Sequence, residues 1–315
     1  MRLASAIEEF VNYKQSLGAS YKGEFNRLKA FLRQTGDVQL TDLRIHHTQA
    51  HLPFVDGTPV TSGWFKKYET LNRFFRYAQV RGYLQHSVLP TPPREKPRAF
   101  VPYIYSIEDM RRLLGVPDSH YGAGEPLTPF TMRTFLLLLY GTGMRMREAI
   151  RLPIEDINLD DAMLTVRETK FYKSRLVPVG RDVVGILRLY KERQWKGKSY
   201  DSKTPFLRTR RGTAVKDHHV DHQFARLRMA AGVLRFDNAR FQPRLHDFRH
   251  TFAVNRLVAW YREGKDVQRL LPQLSTYLGH VGVEETSHYL RMTRELLQEA
   301  NARFEQYSME EEHHA

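Results

Sequence analysis

Apolar side chains recur every three or four positions over most of this chain and every second position only near its middle. Leu3, Ile7, Phe10, Val11 and Leu17 share one helical face, and Tyr21, Phe25, Leu28 and Leu32 repeat the pattern after the break at Gly18-Ala19-Ser20. Two amphipathic helices follow from that spacing. Pro53, Gly57 and Pro59 interrupt any long element between Gly36 and Gly63, so a short helix over residues 41–49 and a loop after it are expected. Trp64, Tyr68, Leu71, Phe75 and Ala78 resume the helical period, with Lys66, Lys67, Arg73, Arg76 and Arg81 on the remaining surface. The first domain is therefore helical and basic, over residues 1–89.

Four prolines and three basic residues in Pro90-Thr91-Pro92-Pro93-Arg94-Glu95-Lys96-Pro97-Arg98 have the composition of an extended linker, set at residues 90–101. A second domain, residues 102–315, opens with Ser106 as an N-cap before Glu108 and Asp109. Thr131 to Tyr140 is almost wholly apolar and must be a buried helix, delivering Gly141-Thr142-Gly143-Met144-Arg145 as a tight turn. Met163-Leu164-Thr165-Val166 and Leu176-Val177-Pro178-Val179 read as strands of a hairpin with lysines at its tip. Helical spacing returns over residues 183–190 and 220–231, with a basic turn at Arg208–Gly212, and continues from Arg249 to about Tyr307 with turns near Gly264, Pro272 and Gly279–Gly282. The expected fold is mainly α with a small antiparallel β-sheet.

Charge narrows the partners. The 315 residues carry 49 Lys and Arg against 35 Asp and Glu, a formal charge of +14 that favours a polyanion. Cysteine is absent, which excludes a disulfide framework, a thiolate zinc site and a thiol nucleophile. The acidic start at Glu8-Glu9 and the lack of a long apolar run lead to the expectation of a cytoplasmic protein without membrane spans. No nucleotide or metal cofactor is expected either. Met146 stands where a dinucleotide fingerprint needs its third glycine, and Glu192 where a phosphate-binding loop before Gly197-Lys198-Ser199 needs its first. His218 and His222 share a helix face without a third ligand, and His313-His314 lies in a polar tail.

One constellation remains. Attack on a phosphodiester creates a crowded phosphorane whose extra negative charge suits planar guanidinium groups, and Arg145 and Arg249 are the candidates. His246, three residues before Arg249, would address the same side of a helix, and His280 sits on a glycine-flanked turn. Tyr289 offers a hydroxyl nucleophile that needs a base or cationic surroundings. Taken singly, each arginine reads more readily as a structural ion-pair partner, and each histidine equally well as a buried core residue.

Taken together, these segments resemble the tyrosine recombinases, or phage-integrase family. Thr142-Gly143-Met144-Arg145 with Glu148 is similar to its first arginine box, and Thr169-Lys170 with Arg175-Leu176-Val177-Pro178 to its lysine hairpin. His246-Asp247-Phe248-Arg249-His250-Thr251 resembles its second box, and Leu278-Gly279-His280 with Tyr289 its third. The resemblance implies a two-domain clamp on double-stranded DNA and a 3′-phosphotyrosine on Tyr289. Lys170 would protonate the leaving 5′-oxygen, Arg145, Arg249 and His280 would stabilise the phosphorane, and His246 would assist proton transfer. It also implies a tetramer on DNA, whose terminal helix, with its stripe of Leu296, Leu297, Ala300 and Phe304, docks on the adjacent protomer. Accessory recombinases or directionality factors would be possible partners. The long stretch from Trp260 to Ser275 resembles a transposon-associated subgroup, which points to integration or transposition of a mobile element. A type IB topoisomerase that relaxes DNA, and a catalytically silent DNA-binding regulator of the same fold, are the alternatives.

Overall fold

The computed structural model describes residues 1–53, 60–92, 101–167, 174–197, 199–237, 239, 241–280, 282–291 and 298. Several expectations fall outside them in whole or part: the loop around Gly57, most of the proline-rich linker, the hairpin tip with Lys170, the helical spacing and apolar stripe beyond Arg291, and His313-His314. The chain divides into two compact units, Met1–Ala99 and Phe100–Ala315.

In the first unit, helices α1 (Leu3–Ser16), α2 (Lys22–Thr35) and α4 (Ser62–Val80) bury Leu3, Ile7, Phe10, Leu28, Phe31, Leu71, Phe74 and Phe75 together. The helix expected over residues 41–49 is displaced. A 3-10 turn, Leu40–Asp42, comes first, and α3 (Ile45–His51) starts only after Leu43 and Arg44 have taken extended dihedrals. Burying both Leu40 and Leu43 in the core breaks the helical path that local spacing suggested.

The second unit is built round α6 (Pro129–Thr142). Thr128 caps it by accepting a hydrogen bond from the Thr131 backbone N–H, Pro129 sets its first turn, and Phe135, Leu136, Leu138 and Leu139 are fully enclosed. Helix α5 (Ile107–Gly115) begins with the expected Ser106 cap, closed reciprocally by Asp109. Helices α8 (Arg181–Trp195) and α10 (Asp247–Arg262) pack on α6, and α7 (Met146–Arg151) and α9 (Asp217–Ala230) pack on each other.

The sheet is antiparallel in the order β1 (Ile157–Asn158), β2 (Met163–Val166), β3 (Arg175–Pro178). Leu164 faces Val177 and Val166 faces Arg175 across it, so Leu164, Val166 and Val177 turn into the core. The short edge strand β1 was invisible to alternation because two residues carry no period.

Pro272 does not make the expected turn. It lies inside α11 (Val267–Leu278), where it removes one backbone bond at a cost of roughly 3 kcal/mol. Val267, Leu271, Leu274 and Leu278 bury one face of that helix against α10. At roughly 1.5–3 kcal/mol each, those four side chains outweigh the proline. No helix among the described residues is long and apolar enough to cross a membrane.

Candidate active site

Two helix ends meet at the site, and each terminates on a left-handed glycine. Gly143 (φ +62°) ends α6, and a Cβ there would lie 2.6 Å from the Phe252 ring. Gly279 (φ +69°) ends α11, and a Cβ there would lie 2.9 Å from Nη1 of Arg175. Only glycine supplies both the dihedral and the room. The carbonyls so exposed carry the negative ends of their helix dipoles, and they hold the two arginines. Arg249 donates from Nη1 to Gly143 O (3.1 Å) and from Nη2 to Leu278 O (2.6 Å), while Arg145 donates from Nη2 to Gly279 O (3.1 Å).

Arg145 precedes α7, whose Glu148 accepts from the Arg145 backbone N–H and from its Nη1, both at 2.9 Å. Glu148 also takes both Nη atoms of Arg175, at 3.0 and 2.7 Å. Burial pushes its carboxyl up, but the two arginines overcome that and hold it at about 2, so it is ionised. Arg249 is 2% exposed. Burial, and then repulsion from Arg145, brings its pKa down to about 10, which leaves it charged at neutral pH.

Tyr289, in the 3-10 turn His288–Arg291, is 3% exposed in this same pocket. Burial raises its pKa, while the adjacent charges of Arg249, which also hydrogen-bonds the phenol, and of Arg145 pull the other way. Two imidazoles flank the ring: His250 edge-on at 5.5 Å between centroids and His280 stacked at 6.0 Å. His246 in turn meets His250 edge-on at 5.0 Å. His280 is oriented by Thr286, whose hydroxyl lies 2.7 Å from Nδ1. His246 itself is the residue before α10 and not within it, but its dihedrals are helical, so it still stands beside Arg249.

All three imidazoles sit well below the usual histidine range. Burial is the main cause, followed by neighbouring arginine charges and, for His246 and His280, by His250: His246 and His250 fall to about 4, and His280 to about 3. They are neutral at pH 7. The unfolded chain binds protons on these imidazoles near pH 6.5, whereas the folded chain does so only near pH 4, so stability drops as pH falls through that window. Chemical denaturation is expected to show a midpoint that declines from pH 6.5 towards 4.5, above the range in which Glu148 titrates. The His246→Asn/His250→Asn variant should decline less steeply, and an equal slope would show that these imidazoles are not the groups responsible.

Two open clefts flank Arg145. One, about 360 Å³, is lined by Arg145, Arg147, Asp221, Arg244, Leu245 and His246. The other, about 580 Å³, includes Arg145, Arg147, Arg151 and Arg167. Their arginines suit a phosphate backbone running past the pocket.

Five of the six residues singled out from sequence, Arg145, His246, Arg249, His280 and Tyr289, thus converge from the residue before α7, the start of α10, the turn after α11 and the 3-10 turn His288–Arg291. Lys170 lies outside the described residues. Sequence reasoning gave no role to His250, although its spacing of four from His246 places it on the same helical face. It also missed the pairing of Arg175 with Glu148, which no local spacing signals. His218 and His222 lie exposed on α9.

Comparison with known proteins agrees with this geometry. The model of the phage integrase family matches residues 108–295. A Sinorhizobium fredii protein described as an integrase/recombinase is 40% identical over 214 residues, covering 67% of this chain and 68% of its own. A second from that organism is 32% identical over 94% of this chain and 93% of its own, and tyrosine recombinase XerD of Rhizobium meliloti is 28% identical over 88% and 85%. Among solved structures, the Tn1549 transposon integrase in complex with transposon right end DNA aligns with a TM-score of 0.69 at 14% identity, covering 98% of this chain and 100% of that one. A lambda integrase tetramer bound to a Holliday junction aligns at 0.64 with 20% identity, covering 90% and 78%. At those identities the likeness establishes the fold. The molecule is a DNA strand-transferring enzyme of the tyrosine recombinase class. Its chain belongs to the phage integrase family, and its reaction is site-specific recombination.

Proposed function

We propose that this recombinase cuts and rejoins double-stranded DNA through a 3′-phosphotyrosine on Tyr289, in the integration or transposition of a mobile element. The observation that carries the proposal is the enclosure of Tyr289 with Arg249 and two neutral imidazoles in a pocket of its own chain. In each cleavage the phenol oxygen forms a bond to phosphorus and the bond to the 5′-oxygen breaks. His246, which meets His250 beside the phenol, assists the transfer of the phenol proton, and Lys170 supplies one to the leaving oxygen. Arg145, Arg249 and His280 carry the charge of the phosphorane. The carbonyl and carboxylate bonds of the two arginines use only part of each guanidinium fork, so N–H donors remain for phosphate oxygens. The phosphodiester energy stays in the tyrosine ester, so religation by a new 5′-hydroxyl needs no nucleotide or metal.

Function as a tetramer on DNA, in the cytoplasm and with accessory directionality factors where the element supplies them, belongs to the same reading. The tetrameric lambda integrase on a Holliday junction supports the assembly. The test uses a duplex nicked beside the cleavage site, which prevents religation. Denaturant-resistant protein–DNA adduct is expected, and intact duplexes should exchange strands with little relaxation of supercoils. Relaxation without exchange would favour the topoisomerase reading, and no adduct on any site of the element would favour the silent regulator.

A further inference from the structure

Arg175 opens β3, the strand that leaves the lysine hairpin, yet its side chain points away from the sheet's polar surface and is only 8% exposed. Its guanidinium makes three bonds to two distant segments. Nη1 and Nη2 grip Glu148, and Nε donates to Tyr277 O at 2.8 Å. Gly279 packs against it so closely that any Cβ there would collide. One side chain therefore braces the arginine turn through Glu148 and the α11 end that carries His280.

The charges show what this does. Arg145, Arg175 and Glu148 sum to one positive charge; Arg145 lines both open clefts, Glu148 only the larger, and Arg175 neither. Without Arg175 the Glu148 carboxylate is shared with nothing but Arg145, and the pair becomes neutral where an anionic phosphorane must form. A buried guanidinium also costs several kcal/mol to desolvate, roughly, so apolar packing alone would be better served by Leu or Met. A planar fork that spans both carboxylate oxygens and donates a third bond elsewhere is specific to arginine.

From this geometry we infer that Arg175 is a positioning residue for strand cleavage: by offsetting the Glu148 carboxylate and bracing the Tyr277–Gly279 end, it leaves the Arg145 side of the pocket with a net positive charge towards the scissile phosphate. It touches no substrate. The inference rests on the proposed cleavage by Tyr289.

Single-turnover adduct formation on the nicked duplex tests it. Arg175→Met is expected to slow adduct formation by about a hundredfold, the scale of one lost oxyanion donor, with DNA binding retained. Adding Glu148→Gln should restore part of the rate, because a neutral amide no longer cancels Arg145, whereas a merely structural role would make the double variant worse. On the Arg145→Ala background, Arg175→Met should add little further loss. A 5′-bridging sulfur, which needs no protonation, should not rescue Arg175→Met. If it does, Arg175 acts on the lysine hairpin and the inference is overturned, as it is if Glu148→Gln deepens the defect. Should Arg175→Met not fold, Arg175→Lys keeps a cation without the fork and is expected to be slowed about tenfold. A wild-type rate in that variant would also overturn the inference. Absence of any adduct from the wild-type protein would instead remove the proposed cleavage itself.

Discussion

Tyr289→Phe is expected to abolish the covalent DNA adduct, a loss of several orders of magnitude, while DNA binding survives. The substitution deletes one hydroxyl and keeps the ring between His250 and His280, so the pocket stays packed. Arg249 loses its bond to the phenol but retains Gly143 O and Leu278 O, and the basic clefts beside Arg145 are untouched. Mass spectrometry of the wild-type adduct should place the nucleotide on Tyr289. The nearest rival is Tyr277, which is poorly suited: burial pushes its phenol up to about 12, its ring stacks on Phe252, and its hydroxyl donates to Pro178 O at 3.3 Å. An adduct recovered on Tyr277 would overturn the assignment. Because Tyr289 is enclosed in its own chain's pocket, mixing Tyr289→Phe with Arg145→Ala protomers should not restore cleavage. Restored cleavage would mean that the tyrosine is delivered to a neighbour.

The second large effect separates Lys170 from the arginines. Lys170→Ala should cleave ordinary DNA poorly and recover on a substrate with sulfur at the 5′-bridging position, since a thiolate leaves without protonation. Arg145→Ala should stay impaired on both, because the phosphorane charge is unchanged by the leaving group. Lys173→Ala should lose mainly affinity, with a shallower salt dependence of binding. Sulfur rescue of Lys173→Ala with Lys170→Ala left inactive would move the general acid to Lys173.

Much of the molecule was legible in the residues alone, for reasons that are local. The helical period of Leu3, Ile7 and Phe10, the cap at Ser106, the apolar run of α6 and its glycine stop each express physics confined to a few neighbouring positions. The candidate site residues were proposed from the same short segments. Arg145, Arg249, His280 and Tyr289 each stand in a short segment whose order along the chain matches a family pattern.

What the sequence could not set was decided by contacts between distant segments. The helix runs through Pro272 because four apolar side chains meet α10, and Leu40 and Leu43 break a local helix because the first unit's core takes both. The histidines are neutral because the folded chain buries them among arginines, a property of packing that no spacing encodes. Arg175 and Glu148 are 27 residues apart and pair only once β3 has been laid beside β2 and α11. The sequence by itself determined which functional groups are present and which short elements carry them, because those follow from residue type and period. Tertiary structure alone decided their charge states, orientations and partners, because burial and distance arise only when separate segments are brought together.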